Sequence, residues 1–523
     1  MKAMQIFLVF FNILIVHTIV IQTPRGIIRG FSSNDTDVFL GIRYGHIAER
    51  WTLASFPQAW NDTQNATVYG PICYQFGPYN QPFLYNETEQ CLFLNIWVPK
   101  RVSQSLLPVR VWIHGGGYTA GSSNDYDGAN LSRLSNSIII TINYRLGIFG
   151  FFPLPNIEER NIGWSDQQLA LRWIQENIEF FGGNKSNVML FGQSAGGSST
   201  IAHILMESSW PLYASAIAQS AGPFLYPDCQ QSEETNWKFL EATFPNCKSD
   251  LNCYRQLNAT LLYEKFSLNW VTLWPCVGTR SQLEEQPIPL IRKGRFNQRV
   301  PIIVGMNFNE GQTSILTFNH FQMVINASEY YQLAQSYLIP DSLIDIYDPT
   351  TTDKDYFAAL TWLFNDYYIH CPSFFSLNHF ANWSTPIYAY FFVHATENWI
   401  FSPFHFNATH LTEIPYVFQN NFAATQLTNS EMNLSSSIIE LFTKFHSNQQ
   451  PWTSYASNQT VILFNVTTDG SMQTRFGFNE RLMKLCPLIL KYVDPDDSNH
   501  NQGVFIRISP VLSLFVMIFF LIC

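Results

Sequence analysis

The chain has 523 residues, 46% hydrophobic and 16% aromatic, with a formal net charge of −10. That apolar content supports a large core and excludes a disordered chain, and the length fits one large domain or two ordinary ones. With 39 acidic against 29 basic residues and no Lys/Arg-rich run, a nucleic-acid partner is excluded, because phosphates need basic patches to neutralise them.

At the start, Lys2 precedes the apolar stretch Ile6 to Val16. This reads as a signal peptide over residues 1–18, cleaved near His17 and Thr18. Export is supported by Asn-X-Ser/Thr acceptors recurring from Asn34 to Asn465, which an exported chain would glycosylate. The nine cysteines show no paired metal-binding spacing and read as disulfides of an oxidising compartment.

No repeat, linker or charge block divides residues 19–493, so a single catalytic domain is expected there. Val109 to Ile113 and Ser137 to Thr141 are near-continuous apolar runs, as in buried strands of a parallel sheet. Asp166 to Phe180 carries Leu169, Leu171, Trp173, Ile174 and Ile178 at helical spacing and stops at Gly182-Gly183. Val188 to Phe191 is a short strand. The alternation predicts a doubly wound α/β sheet, mostly parallel and flanked by helices.

Residues 494–523 form a polar spacer with small residues (Asp496 to Gly503), then an apolar end from Val511 to Cys523. Those 13 uncharged positions fall short of the roughly 20 that a spanning helix needs. Small residues, spacer and tail resemble a lipid-anchor attachment signal. The expectation is a chain exported to the extracellular space or cell surface and held at a membrane by that anchor.

The strand Val188 to Phe191 runs into Gly192-Gln193-Ser194-Ala195-Gly196-Gly197 and then a helical stretch. Strand, Gly-X-Ser-X-Gly and helix make a nucleophile elbow, whose tight turn leaves no room for side chains at Gly192 or Gly196. Upstream, His114-Gly115-Gly116-Gly117-Tyr118 follows a strand and offers backbone N–H groups to a developing oxyanion. After a further strand, Val300 to Gly305, comes a loop with Glu310. A carboxylate leaving a sheet strand is placed to orient a histidine. Glu284, Glu285 and Glu329 lack that context and read as solvated surface groups. Candidate histidines after Glu310 are His320, His370, His379, His394, His405, His410, His446 and His500.

The chain resembles the type-B carboxylesterase/cholinesterase family over nearly its whole length. Glu89-Gln90-Cys91-Leu92-Phe93-Leu94-Asn95 matches a family signature, as do Asn143-Tyr144-Arg145-Leu146-Gly147, Asp166-Gln167 and Phe181-Gly182-Gly183. The resemblance implies an α/β-hydrolase fold and a serine carboxylic ester hydrolase that needs no metal or cofactor and acts on a small-molecule ester. It assigns the catalytic roles to Ser194, Glu310 and His410, with His405 the spare, and the oxyanion donors to the N–H groups of Gly116, Gly117 and Ala195. It also maps disulfides onto Cys73–Cys91, Cys247–Cys253 and Cys371–Cys486, leaving Cys229, Cys276 and Cys523.

The pattern bends in places. Leu411 stands where a glycine or other small residue often follows the histidine, and the Asn407 acceptor lies close by. Gln193 replaces the commoner Glu, a change at the buttress of the helix start. Gly41-Ile42-Arg43-Tyr44-Gly45 departs from its family run. Between Cys73 and Cys91 the chain offers Tyr74, Phe76, Tyr79, Phe83 and Tyr85 but no Trp to stack on a choline ammonium. Choline esters are therefore the alternative substrate, a lipase with a lid is another, and a catalytically silent adhesion protein is the competing class. The survival of Ser194, Glu310, His410 and the glycines argues for the enzyme.

Overall fold

The computed structural model describes residues 17–33, 35–75, 86–100, 105–157, 159–222, 225–268, 274–279, 281–312, 315, 325–336, 339–349, 355–399, 408–466, 473–476 and 480–493. The signal stretch to Val16, the tail from residue 494, Asn34, Phe76, Tyr79, Phe83, Tyr85, His320, His405, Asn407 and His500 lie outside the described residues.

One large twisted sheet organises the chain. β1 (His17–Thr23), β2 (Gly26–Ser33) and β3 (Thr36–Arg43) make an antiparallel ribbon, with β4 (Gln64–Asn65) beside β2. β5 (Ile72–Cys73) and β6 (Glu87–Thr88) pair separately. β7 (Phe93–Pro99) runs antiparallel to β3 and to β9 (Ile138–Ile142). From there β9 (Ile138–Ile142), β8 (Leu107–Ile113), β10 (Gly183–Gln193), β11 (Ser215–Gln219), β12 (Ile302–Asn307), β13 (Ile387–Phe392) and β14 (Thr460–Phe464) are parallel neighbours in that order. β15 (Gln473–Phe476) closes the edge antiparallel. This is the α/β-hydrolase architecture. β8, β9 and β12 are buried, largely apolar runs because helices cover both faces, whereas β1 at the edge is half-exposed.

β1 takes in His17 and Thr18, paired with Ser32 and Phe31, the last two residues of the expected signal stretch. The helix expected from Asp166 instead spans Ile162–Asn177, followed by a 3₁₀ turn, Ile178–Phe181, that ends on Gly182 at φ 81°. Asp166 reads as a helix-start residue, yet it points into the core. It accepts from Arg145 Nε at 2.7 Å, from Nη2 at 2.7 Å and from the Arg145 backbone N–H at 3.1 Å, with both side chains buried.

That ion pair fixes the segment after β9 against the helix Ile162–Asn177, and the same segment holds the loop after β8. Tyr144 donates from its hydroxyl to the His114 carbonyl at 2.8 Å and stacks on the His114 ring. Gly147 N–H donates to the Tyr118 carbonyl at 2.7 Å. Tyr44, in the altered Gly41–Gly45 run, donates to the Asn143 carbonyl at 2.5 Å.

Disulfides join Cys73 to Cys91, Cys247 to Cys253 and Cys371 to Cys486. Cys229 and Cys276, which the sequence leaves without an assigned partner, form a fourth. The backbone sets them up: Cys229 N–H donates to the Val277 carbonyl and Val277 N–H to Pro227. No helix among the described residues is long and apolar enough to cross a membrane.

Removing one partner of a buried, well-bonded pair leaves a charge without compensation. Asp166→Asn is expected to lower the unfolding free energy by about 3–5 kcal/mol, measured in urea. A loss below about 1 kcal/mol, the range of exposed pairs, would contradict this reading of the Arg145 clamp.

Candidate active site

Ser194 sits between β10 and the helix Ala195–Leu205, at φ 57° and ψ −124°. This left-handed backbone is costly for a residue with a side chain. Close packing enforces it. A Cβ on Gly192 would lie 2.5 Å from the Gly196 carbonyl oxygen and 2.7 Å from that of Ile113, and one on Gly196 would overlap the Ile113 oxygen. Ser194 N–H donates to the Gln219 carbonyl at 2.9 Å, which ties the turn to β11. From Val188 to Leu205 every residue is buried except Ser194, so the turn presents one hydroxyl to the outside.

The glycine loop after β8 packs onto this turn. A Cβ on Gly115 would come 2.7 Å from the Gln193 carbonyl oxygen and 3.1 Å from Ser194 Cβ. Gly116 and Gly117 adopt φ 106° and 57°, and the Gly116 carbonyl accepts from Thr119 and Ala120 N–H. Its peptide is thereby turned with the carbonyl into the protein. Among the described residues no hydrogen bond consumes the N–H of Gly116, Gly117 or Ala195. His114 supports the loop from behind. Burial lowers its pKa to about 4 against the opposing Gly115 bond, and its Nδ1–H donates to the Gly115 carbonyl at 2.8 Å.

Glu310 and His410, 100 positions apart, meet as an acid–imidazole pair. His410 Nδ1 donates to Glu310 Oε2 at 2.6 Å. Glu310 is 2% exposed, while His410 is the one residue not buried between Ala408 and Phe418. The other ring nitrogen, Nε2, lies 3.2 Å from the Gln193 side-chain amide. Gln193 therefore reaches the imidazole rather than the start of the following helix.

Asn307, the last residue of β12, binds both halves of the pair. Its N–H donates to Glu310 Oε1 at 2.6 Å. Its side-chain amide donates to the Thr409 carbonyl at 2.8 Å and to Glu413 Oε2 at 2.5 Å. Asn309 N–H adds a bond to the Ala408 carbonyl at 3.0 Å. Leu411 holds φ 76°, which explains why a glycine suits the position after the histidine.

Glu413 is a second buried carboxyl beside Glu310. Burial, then the charge of Glu310, raises its pKa to about 7, against the lowering bond from Asn307. Nothing near Glu413 in sequence points to its partners. Its contacts with Asn307 and Ser220 come from β12 and the turn after β11, which no local pattern brings together.

None of the other described histidines bonds to Glu310. His370 is buried against Asp366, His394 pairs with Glu431, and His446 Nε2 donates to the Asn187 carbonyl at 3.2 Å. Glu284 and Glu285 are exposed partners of Arg295 and Lys293, and Glu329 caps its own helix start. Tyr74 packs on Phe149.

The family model described as "Carboxylesterase family" matches residues 17–480. The chain belongs to the carboxylesterase family. It is 30% identical to cholinesterase of Mus musculus over 479 residues, covering 82% of this chain and 78% of the relative. It is 28% identical to para-nitrobenzyl esterase of Bacillus subtilis (strain 168), covering 85% and 94%. A solved structure of PNB esterase superposes with a TM-score of 0.76 at 25% identity, over 89% of this chain and 98% of that one. This carboxylesterase is a carboxylic ester hydrolase, and its substrates are small-molecule esters.

The folded pKa of Glu413 lies above its ordinary value of 4.5, so the folded enzyme keeps a proton that the unfolded chain releases. The stability this contributes is complete below about pH 4.5 and is lost as pH rises through about 7. Between pH 5 and 8, wild type is expected to lose up to about 3 kcal/mol relative to Glu413→Gln, compared in urea. Parallel stability curves would contradict the buried, raised carboxyl.

Proposed function

We propose that the enzyme hydrolyses its ester through a Ser194–His410–Glu310 triad and an acyl-enzyme intermediate. The observation that carries this reading is the 2.6 Å bond from His410 Nδ1 to Glu310 Oε2. With the Nδ1 proton held there, Nε2 is left as a base beside the residue that precedes Ser194. His410 takes the Ser194 proton as Oγ attacks the ester carbonyl carbon, and Glu310 stabilises the imidazolium that forms. The carbonyl oxygen becomes an oxyanion, for which the N–H groups of Gly116, Gly117 and Ala195 are the donors. One such donor is worth about 3–4 kcal/mol. Collapse of the tetrahedral intermediate breaks the bond to the alcohol, which leaves with the proton from His410. Water, deprotonated by His410, then clears the acyl group from Ser194.

Gln193 gives this cycle a particular resting state. Its amide N–H donates to the Nε2 lone pair that must accept the serine proton, so the two compete for one acceptor. A neutral amide there also adds no negative charge to favour the imidazolium.

For the substrate we infer an uncharged carboxylic ester in preference to a choline ester, because no tryptophan lies between Cys73 and Cys91. Choline esters are the second reading, favoured by the cholinesterase relative. We further infer export through residues 1–18, a catalytic domain from Ile19 to Val493 and lipid anchoring through residues 494–523. The four disulfides support an oxidising compartment. Retention of the nucleophile, acid and base argues against an adhesion protein without activity.

With p-nitrophenyl acetate, Ser194→Ala is expected to lower kcat by about 10⁶-fold and Glu310→Gln by about 10³–10⁴-fold. A fluorophosphonate probe should label wild type and not Ser194→Ala. Equal labelling of both proteins would remove Ser194 from its role. Acetylthiocholine should turn over with kcat/KM at least about tenfold below that of p-nitrophenyl acetate, a difference of about 1.4 kcal/mol in transition-state binding. The reverse order would favour the choline reading.

A further inference from the structure

The helix that carries Tyr356–Phe364 and Cys371–Ala381 is interrupted by a π-helical turn, Asn365–His370. Its defining bond runs from Cys371 N–H to the Asp366 carbonyl, five residues back. The sequence supplies a cause in Pro372. A proline has no N–H to donate and crowds the carbonyl four residues earlier, here that of Tyr368, so the ladder widens just before it.

The widening changes which side chains share a face. In an α-helix, residues five apart point about 140° away from each other. The i→i+5 pattern of a π turn brings them back into line. Asn365 and His370, five apart, both reach the loop that carries Glu310. Asn365 Oδ1 accepts from Gly311 N–H at 2.5 Å. His370 Nε2 donates to the Asn307 carbonyl at 2.9 Å. One bond falls just before Glu310 and the other just after it.

The support behind these contacts is equally buried. Asn365, Asp366 and His370 are each at most 1% exposed. His370 Nδ1 faces Asp366 Oδ1 at 3.3 Å, and Tyr347 donates from its hydroxyl to Asp366 Oδ2 at 2.5 Å. A Cβ on Gly311 would meet Phe364 Cδ1 at 2.9 Å and Asn365 Oδ1 at 3.0 Å, so loop and helix touch with no slack. Cys371, next to His370, is tied to Cys486.

We infer that Asn365 and His370 are positioning residues for the reaction, and that the π turn exists to clamp the acid loop from both ends. The mechanical link is the Asn307 backbone on both sides of its Cα. His370 holds its carbonyl, the Asn307 N–H holds Glu310 Oε1, and the Asn307 amide holds the His410 segment through Thr409. A shift of Asn307 would move Glu310 and the His410 segment together. The inference rests on the reading of Glu310 as the triad acid.

A kinetic double-mutant cycle separates the two ideas. His370→Leu should lower kcat for p-nitrophenyl acetate by about 10–100-fold with KM unchanged, as expected for a misplaced catalytic group. His370→Gln, which keeps an N–H donor, should recover to within about threefold of wild type. In the Glu310→Gln background the same His370→Leu change should cost at least about threefold less than it does in wild type, because one of the two groups it positions is gone. If the leucine variant fails to fold, His370→Asn carries the same expectation, since it is one methylene short of Gln and does not reach the Asn307 carbonyl. A wild-type rate in His370→Leu, or an equal loss in both backgrounds, would overturn the clamp. A wild-type rate in Glu310→Gln would instead overturn the acid assignment beneath it.

Discussion

The arrangement depends on one backbone constraint, the left-handed turn at Ser194. That conformation costs on the order of 1–3 kcal/mol and survives only because its neighbours leave no alternative. Gly192 and Gly196 pack against the end of β8, Gly115 sits on Ser194 itself, and the Ser194 N–H is bound to β11. The strain is what turns one hydroxyl out of an otherwise buried segment. Any relaxation toward ordinary strand or helix geometry would bury it again.

Neighbouring strands repeat the same device along the carboxyl edge of the sheet. Ser194 N–H bonds to the end of β11, Ser220 N–H to Gly305 in β12, and Phe308 N–H to Phe392 in β13. Each turn is fixed by the strand beside it, so the sheet spaces Ser194 and Glu310. His410 alone arrives from a distant loop, and Asn307 gathers that loop in through Thr409 and Glu413. The consequence is a buried pair of carboxyls, Glu310 and Glu413. One is matched to an imidazole, and the other is pushed toward the protonated form near neutral pH.

Much of this was legible in the residues. Short-range geometry is written into local pattern, so the strand–Gly-X-Ser-X-Gly–helix run and the strand–His-Gly-Gly-Gly run identify their turns directly. Glu310 was readable as an acid leaving a strand. The histidine was not separable by context alone, since eight candidates follow Glu310, and resemblance to a family supplied His410. What stayed hidden was tertiary. Asp166 looks like a helix start because nothing near it in sequence reveals Arg145 as its partner. Gln193 looks like a helix buttress because its approach to His410 depends on a fold that closes 217 positions of chain. The Cys229–Cys276 link follows from strand-like pairing at Asp228 and Val277, invisible in cysteine spacing.

The claim that Ser194 carries the acyl group is open to direct observation. The enzyme would be acid-quenched while turning over an ester whose acyl group leaves slowly, then digested and mapped by mass spectrometry. The expected result is the acyl mass on the peptide containing Ser194, present in wild type and lacking in Ser194→Ala. Steady turnover with no acyl mass on any peptide, or with the mass on another residue, would contradict a mechanism built on this turn.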